Sequence, residues 1–411
     1  MQFSYTFSEH AASGKKLLLR RLRRSPLGLQ LQQSMPGNHC ISTSFLLYCV
    51  QHHLISAALR QNGDTMKHHL RLLLAVTVVC LVMTGCAVPG GTPTAASTGT
   101  TPPAITTPSA TPDSAPDGKF TIAIIPDTQQ EVIGEAARYR LFAQRCEWLV
   151  SKKEELNLSF VLHTGDVVNW GDADESQLVV ASDAMAILDN ADIPVVYALG
   201  NHDTAAVGVG GSAAVPSETR TRVRDTTAFN KYFSTTRYPY LNVKDEGIVD
   251  NAYALLEAGG VKWMILTLEI WPRTEVVAWA NQVVRSHGDH NVIVITHSYL
   301  TDNGDIQTSN GGYGANSPKY LYDNLISRHD NIKMVFCGHT GYSAVRTDIG
   351  RGGNKIVSVL GSYHSNNYNP VRLLQIDVKG GILKSRVYTP INGGQWSQYS
   401  FTVKDMTFIG A

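Results

Sequence analysis

Cysteine is scarce in this chain. Its 411 residues hold six, and only Cys146 and Cys337 fall where the patterning predicts a fold. A disulfide framework is therefore excluded, and at most one bridge could form in the folded part. Charge of one sign is lacking too: the formal net charge is +1, which gives no argument for nucleic acid as the main partner. The apolar run 72–83 is too short to span a bilayer and has the length of a signal-peptide core. What is present is an ordinary globular composition, 43% hydrophobic.

Residues 1–65 carry a basic cluster, Arg20-Arg21-Leu22-Arg23-Arg24, without clean periodicity. A fresh protein start follows at Met66-Lys67-His68-His69-Leu70-Arg71, so 1–65 reads as an upstream extension, unstructured or not translated. Residues 66–86 read as a lipoprotein-type signal peptide ending in Thr84-Gly85-Cys86, which resembles the end of a bacterial lipobox. Cleavage before Cys86 and acylation of its thiol would anchor the protein to a membrane without spanning it. The expected location is outside the cytoplasm, as a cell-membrane or outer-membrane lipoprotein. Residues 87–118 are almost all Pro, Thr, Ser, Ala and Gly and read as a tether.

The folded domain is expected over 119–411. An apolar strand is predicted at 120–125, a helix at 135–155, a strand at 159–162, a helix at 176–190 and a strand at 194–199. Strand and helix alternate twice more, through 263–268, 275–285, 291–296, 319–327 and 331–337. Short strands punctuated by glycine follow, at 343–348, 355–360, 371–378, 382–388 and 400–403. Alternating units followed by hairpins imply a layered α/β protein with a large mixed sheet system. Two long polar loops, 204–218 and 301–317, are read as rims of a substrate site.

Polar residues recur where these strands end, which is where α/β proteins hold ligands. In chain order they are Asp127 and Gln129, then Asp166 in His163-Thr164-Gly165-Asp166. Next come Asn201, His202 and Asp203 in Gly200-Asn201-His202-Asp203, then His297 in Thr296-His297-Ser298, and His339 in Cys337-Gly338-His339-Thr340. One histidine after a strand is usually a hydrogen-bonded structural residue. Five such strand ends in one domain are hard to assign to packing. Hydrolysis of a phosphate ester by two metal ions needs a bridging carboxylate, for which Asp166 is the candidate. Asn201 offers an amide oxygen, and His297 and His339 offer imidazole nitrogens. His202 is placed to protonate the departing oxygen, with Asp203 to orient it.

The order Asp-x-Gln, Gly-Asp-x-x-Asn, Gly-Asn-His-Asp, Thr-His and Gly-His resembles the calcineurin-like metallophosphoesterases over about residues 119–345. The resemblance implies a four-layer α/β/β/α sandwich of two mixed sheets flanked by helices. It also implies up to two divalent ions (Mn, Fe, Zn or Mg) and in-line attack by a metal-bound hydroxide on a phosphate mono- or diester. Family members usually show Asp-x-His first and Gly-His-x-His last; here those histidines are Gln129 and Gly341. One ion keeps Asp166, Asn201, His297 and His339. The other keeps Asp127, the shared Asp166 and Gln129 as a weak oxygen ligand, so the expectation is a weak first site. His163 and His364 could compensate, but each is read as structural. The chain is expected to act as a monomer with a phosphate-ester substrate and no nucleic-acid partner. The rival reading is a non-catalytic descendant that binds metal and phosphate.

Overall fold

Lys119–Ile125 forms the first strand of the computed structural model of the protein, which describes residues 118–411. The expected extension 1–65, the signal peptide with Cys86 and nearly all of the tether lie outside the described residues. The strands in chain order are β1 (Lys119–Ile125), β2 (Leu158–His163), β3 (Val195–Tyr197), β4 (Asn242–Asp245), β5 (Ile248–Ala258), β6 (Val261–Leu268) and β7 (Asn291–Thr296). They continue with β8 (Ile332–Cys337), β9 (Ser343–Ile349), β10 (Lys355–Gly361), β11 (Val371–Asp377), β12 (Ile382–Thr389), β13 (Gly394–Gln395) and β14 (Phe401–Val403). The four helices that matter most for packing are α1 (Leu141–Ser151), α2 (Ser176–Asp189), α3 (Thr274–Ser286) and α4 (Pro318–Asn324).

Two seven-stranded mixed sheets result. The first runs β13-β12-β11-β1-β2-β3, with β14 also paired to β12; the second runs β4-β5-β6-β7-β8-β10-β9. In the first, β1, β2 and β3 are parallel; in the second, β6, β7, β8 and β10 are parallel. The side-chain period of a strand is two, so each parallel strand feeds two cores. Ile122 and Ile124 of β1 face the second sheet and pack with Trp263, Ile265, Ile293 and Phe336. Ala123 and Ile125 face the other way, onto Cys146 and Leu149 of α1 and Leu178, Ala181 and Met185 of α2. Across the molecule, Met264, Leu266 and Val294 pack on Val276, Ala280 and Val284 of α3. Three cores separate four layers, α/β/β/α. Burial of a large apolar side chain in such a core contributes about 1.5–3 kcal/mol.

Local departures from the predicted elements have local causes. The segment 135–155 is three short helices, not one. Arg140 sits at φ 57°, a left-handed conformation that interrupts the helical path ahead of α1, and Lys152 leaves it at φ −106°, ψ 3°. Strand β5 was not expected because it carries Asp250 and Asn251, which strands disfavour. Their partners explain the exception: Asp250 accepts from Thr226 Oγ1 at 2.8 Å and Asn230 Nδ2 at 3.0 Å, and Asn251 donates to Glu269 at 3.2 Å. Cys146 and Cys337 are buried free thiols, so no bridge forms between them.

Candidate metal centre

The parallel strands of both sheets deliver their carboxyl ends to one place. Asp127 follows β1, Asp166 follows β2, and Asn201, His202 and Asp203 follow β3. From the second sheet, His297 follows β7, His339 follows β8 and His364 follows β10. Donor atoms of Asp166, His297 and His339 lie within 4.8 Å of one another, and so do those of Asp127, Asp166 and His364. Asp166 belongs to both groups.

The backbone is bent to achieve this. Asp166 adopts φ 49° and His339 φ 78°, left-handed conformations that cost a non-glycine residue roughly 1–3 kcal/mol and persist only where the surroundings enforce them. Gly200 permits the closest approach: a Cβ there would lie 2.0 Å from Asp166 Oδ1. With glycine in that position the amide of His202 donates to Asp166 Oδ1 at 3.0 Å. On the other side, the amide of His339 donates to Asp127 Oδ2 at 2.9 Å.

Hydrogen bonds fix the tautomer of the central imidazole. His297 Nδ1 lies 2.8 Å from the carbonyl of Thr164, which can only accept, so Nδ1 carries the proton and Nε2 keeps its lone pair when the ring is neutral. Nε2 lies 3.0 Å from Asp166 Oδ2, where a protonated ring would pair with the carboxylate. Burial lowers the pKa of His297, yet the carboxylates of Asp166 and Asp127 outweigh it and hold the ring at about 9. Burial raises Asp127, against the pull of His297 and His364. Burial also opposes ionisation of Asp166, but His297 and His202 keep its carboxyl well below the ordinary range. For His339, burial and the neighbouring His297 lower the value to about 3, which keeps the ring neutral as a ligand requires.

Three buried atoms at this centre have no hydrogen-bond partner: Gln129 Oε1, Asn201 Oδ1 and His297 Nε2. Each unsatisfied group costs about 1–3 kcal/mol, so three of them on the strand ends that also carry two buried carboxylates need a reason. A divalent cation supplies it. Mixed amide oxygen, carboxylate and imidazole donors suit Mn, Fe or Zn. The residues present fit the ions that the sequence implies.

His202 and Asp203 differ from expectation. His202 Nδ1 lies 2.5 Å from the carbonyl of Asn169, and this bond orients the ring. Asp203 accepts from the amide of Val168 at 3.1 Å and from that of Gly200 at 2.8 Å. Each of its oxygens accepts from backbone, so Asp203 braces the two loops that carry Asp166 and Asn201, while the Asn169 carbonyl orients His202. Burial and the nearby Asp166 push the Asp203 carboxyl up to about 8.

The two compensating candidates part company. His163 is enclosed: its Nδ1 accepts from the amide of Gly165 at 3.2 Å, and its Nε2 meets Thr128 Oγ1 at 3.1 Å. It is structural. His364, read the same way, lies at the centre: its Nε2 is 2.8 Å from Asp127 Oδ2 and 3.2 Å from Gln129 Nε2, and it falls in one group of donors with Asp127 and Asp166. The signal was available in the sequence: the apolar run of β10 ends in Gly361, three residues before His364. Trp271 was also missed. It sits at φ 47° with its ring edge-on to His339 at 5.3 Å, and it packs with Ala206, Val223 and Tyr313. Through it, the loops 204–218 and 301–317 are both tied to the centre. Gly211 of the first loop stands over His202, its Cβ position 3.6 Å from Cε1.

The family model of the calcineurin-like phosphoesterases matches residues 120–342, and the chain belongs to that family. Among curated proteins, the uncharacterized protein YvnB of Bacillus subtilis (strain 168) is 26% identical over 263 residues, which is 61% of this chain. The match spans only 18% of that protein's length. Among solved structures, a dimetal phosphatase from Danio rerio is 12% identical, with a TM-score of 0.43 over 69% of this chain and 98% of the other. A cold-active protein-tyrosine phosphatase from a psychrophilic Shewanella species is 13% identical, with a TM-score of 0.30 over 67% and 79%.

Proposed function

We propose that the chain is an exported metal-dependent hydrolase of a phosphate mono- or diester. The observation that carries this reading is the position of Asp166 in both groups of donors, beside orphaned acceptors on Gln129 and Asn201 and an unpartnered nitrogen on His297. Asp166, Asn201, His297 and His339 would hold one ion, and Asp127, Asp166 and Gln129 contribute to the other. When bound, divalent ions supply Lewis acidity toward phosphate oxygens and lower the pKa of water. The chain's own residues do the rest. His202, fixed through Nδ1 to the Asn169 carbonyl, has Nε2 free to give a proton to the leaving oxygen. Asp203 keeps the Asp166 and Asn201 loops in register, and Trp271 and Gly211 form part of the rim.

Export rests on the pattern at 66–86, with Cys86 as the acylated residue and 87–118 as the tether to the membrane. We place the monomeric domain outside the cytoplasm on that basis. Metabolic labelling with a palmitate analogue should tag the protein and lose the tag in Cys86→Ala.

The catalytic reading is tested with the full chain loaded with Mn. Turnover of p-nitrophenyl phosphate or its bis ester that collapses in Asn201→Ala supports it. Absence of turnover on both, with Asn201→Ala unchanged in metal binding, overturns it. The replacement of two histidines by Gln129 and Gly341 favours a second reading, a descendant that binds metal and phosphate without hydrolysing esters. One tightly held ion and no turnover at excess Mn would select that alternative.

A further inference from the structure

We infer that His364, from the loop between β10 and β11, is a ligand of the first metal ion and replaces the histidines absent at Gln129 and Gly341, an inference that rests on the metal-centre reading above. Three observations carry it.

Two side chains converge on His364 Nε2: Asp127 Oδ2 at 2.8 Å and the amide of Gln129 at 3.2 Å. Turned about, that amide presents Oε1, which otherwise has no partner, to the same place. Donor atoms of Asp127, Asp166 and His364 lie within 4.8 Å of one another, so an imidazole nitrogen, two carboxylates and an amide oxygen are gathered within reach of one cation.

The position normally used carries no side chain and is unfavourable for one. Gly341 adopts φ 83°, and a Cβ there would lie 1.7 Å from Asp302 Oδ1. That carboxylate accepts from the amide of Tyr342 at 2.6 Å, a bond that a side chain at 341 would have to break, and the left-handed backbone adds strain for any residue but glycine. A further side-chain ligand for the first ion would therefore come from another element.

His364 is aimed, although its side chain is 30% exposed. Tyr363 before it is buried at φ 50°, and its hydroxyl is bonded to Ser343 Oγ and Arg372. At the far end of the loop, Asn369 Nδ2 donates to the carbonyl of Leu141 at 2.9 Å and its Oδ1 accepts from the amide of Ile391 at 2.8 Å. Arg145, itself fully buried, donates from Nε to the carbonyls of Asn369 at 3.3 Å and Pro370 at 2.9 Å. A loop pinned at both ends presents one imidazole in a fixed place, as metal ligands require.

The test uses the full chain, stripped of metal and titrated with Mn, read by metal content after desalting, calorimetry and electron paramagnetic resonance. Wild type should bind two Mn per chain with the spectrum of an exchange-coupled pair. His364→Ala should keep one site, lose the coupled spectrum and weaken the other site by about tenfold or more. His364→Gln, closer in size and polarity, should give the same metal result if His364→Ala folds poorly by circular dichroism. Two Mn bound with unchanged affinity and coupling in both variants would overturn the assignment. So would a wild type with a single Mn that His364→Ala leaves unchanged and Asn201→Ala removes, although the metal-centre reading would then stand. No Mn binding by wild type would overturn both.

Discussion

Asp302 occupies the space that a side chain at position 341 would need. Its Oδ1 lies 1.7 Å from where a Cβ on Gly341 would stand, and the glycine is left-handed at φ 83°. Restoring the family's histidine should therefore fail. Gly341→His is expected to lower stability by roughly 1–3 kcal/mol, from backbone strain and the displaced carboxylate. It should not raise Mn stoichiometry. Thermal melts and metal analysis of the purified variant check both halves.

Gly200 is as constrained, through packing alone. A methyl there would stand 2.0 Å from Asp166 Oδ1 and 2.6 Å from the Asp166 amide. Gly200→Ala should push the shared carboxylate aside, with a metal affinity reduced by about 10–100-fold. Its overall fold should persist. Calorimetric titration with Mn, set beside a circular-dichroism melt, separates the local effect from a global one.

Arg145 and Glu131 form a buried ion pair with side-chain exposures of 0% and 2%. Arg145→Met leaves the Glu131 carboxylate uncompensated and should cost about 3–5 kcal/mol. Because Arg145 also holds the carbonyls of Asn369 and Pro370, the same variant should weaken the first Mn site more than the second. Adding Glu131→Gln should recover part of the stability and none of the metal affinity. Denaturant melts and Mn titrations of the single and double variants give the two readouts.

His202 is argued to protonate the leaving oxygen, so its removal should matter in proportion to the need for a proton. His202→Ala should lower kcat on an alkyl phosphate by about 10²–10⁴-fold. The loss on p-nitrophenyl phosphate, whose leaving group departs readily as an anion, should be much smaller. Equal losses on both would mean that His202 serves binding or structure. Asp203→Asn, by contrast, should act through loop order, lowering the melting temperature and the activity on both esters together.

Much of the centre is legible in the sequence. Asp127, Asp166, Asn201, His297 and His339 each follow an apolar strand, and Gly200, Gly165 and Gly338 stand beside three of them. Parallel strands end on the same side, so residues placed alike along the chain meet in space. His364 obeys the same rule, but it lies outside the matched motif, in a loop that leads from β10 of one sheet to β11 of the other, and its role depends on contacts 235 and 237 residues away in sequence. The partner of His202 was misread for a similar reason. Adjacency suggested Asp203, whereas the three-dimensional turn offers the Asn169 carbonyl 33 residues earlier. Among the elements, β5 escaped notice because its Asp250 and Asn251 are satisfied only by side chains from other segments.

The candidate donors come from both sheets: Asp127, Asp166 and Asn201 from one, His297, His339 and His364 from the other. Occupancy of the centre would therefore rivet two slabs whose remaining contact is mostly apolar, with few directional bonds such as that from Thr267 Oγ1 to the Tyr197 carbonyl at 2.6 Å. A chelated chain should become more prone to shear along that seam, with amide exchange quickening first at the mouth and last around Trp263 at the opposite end of the strands.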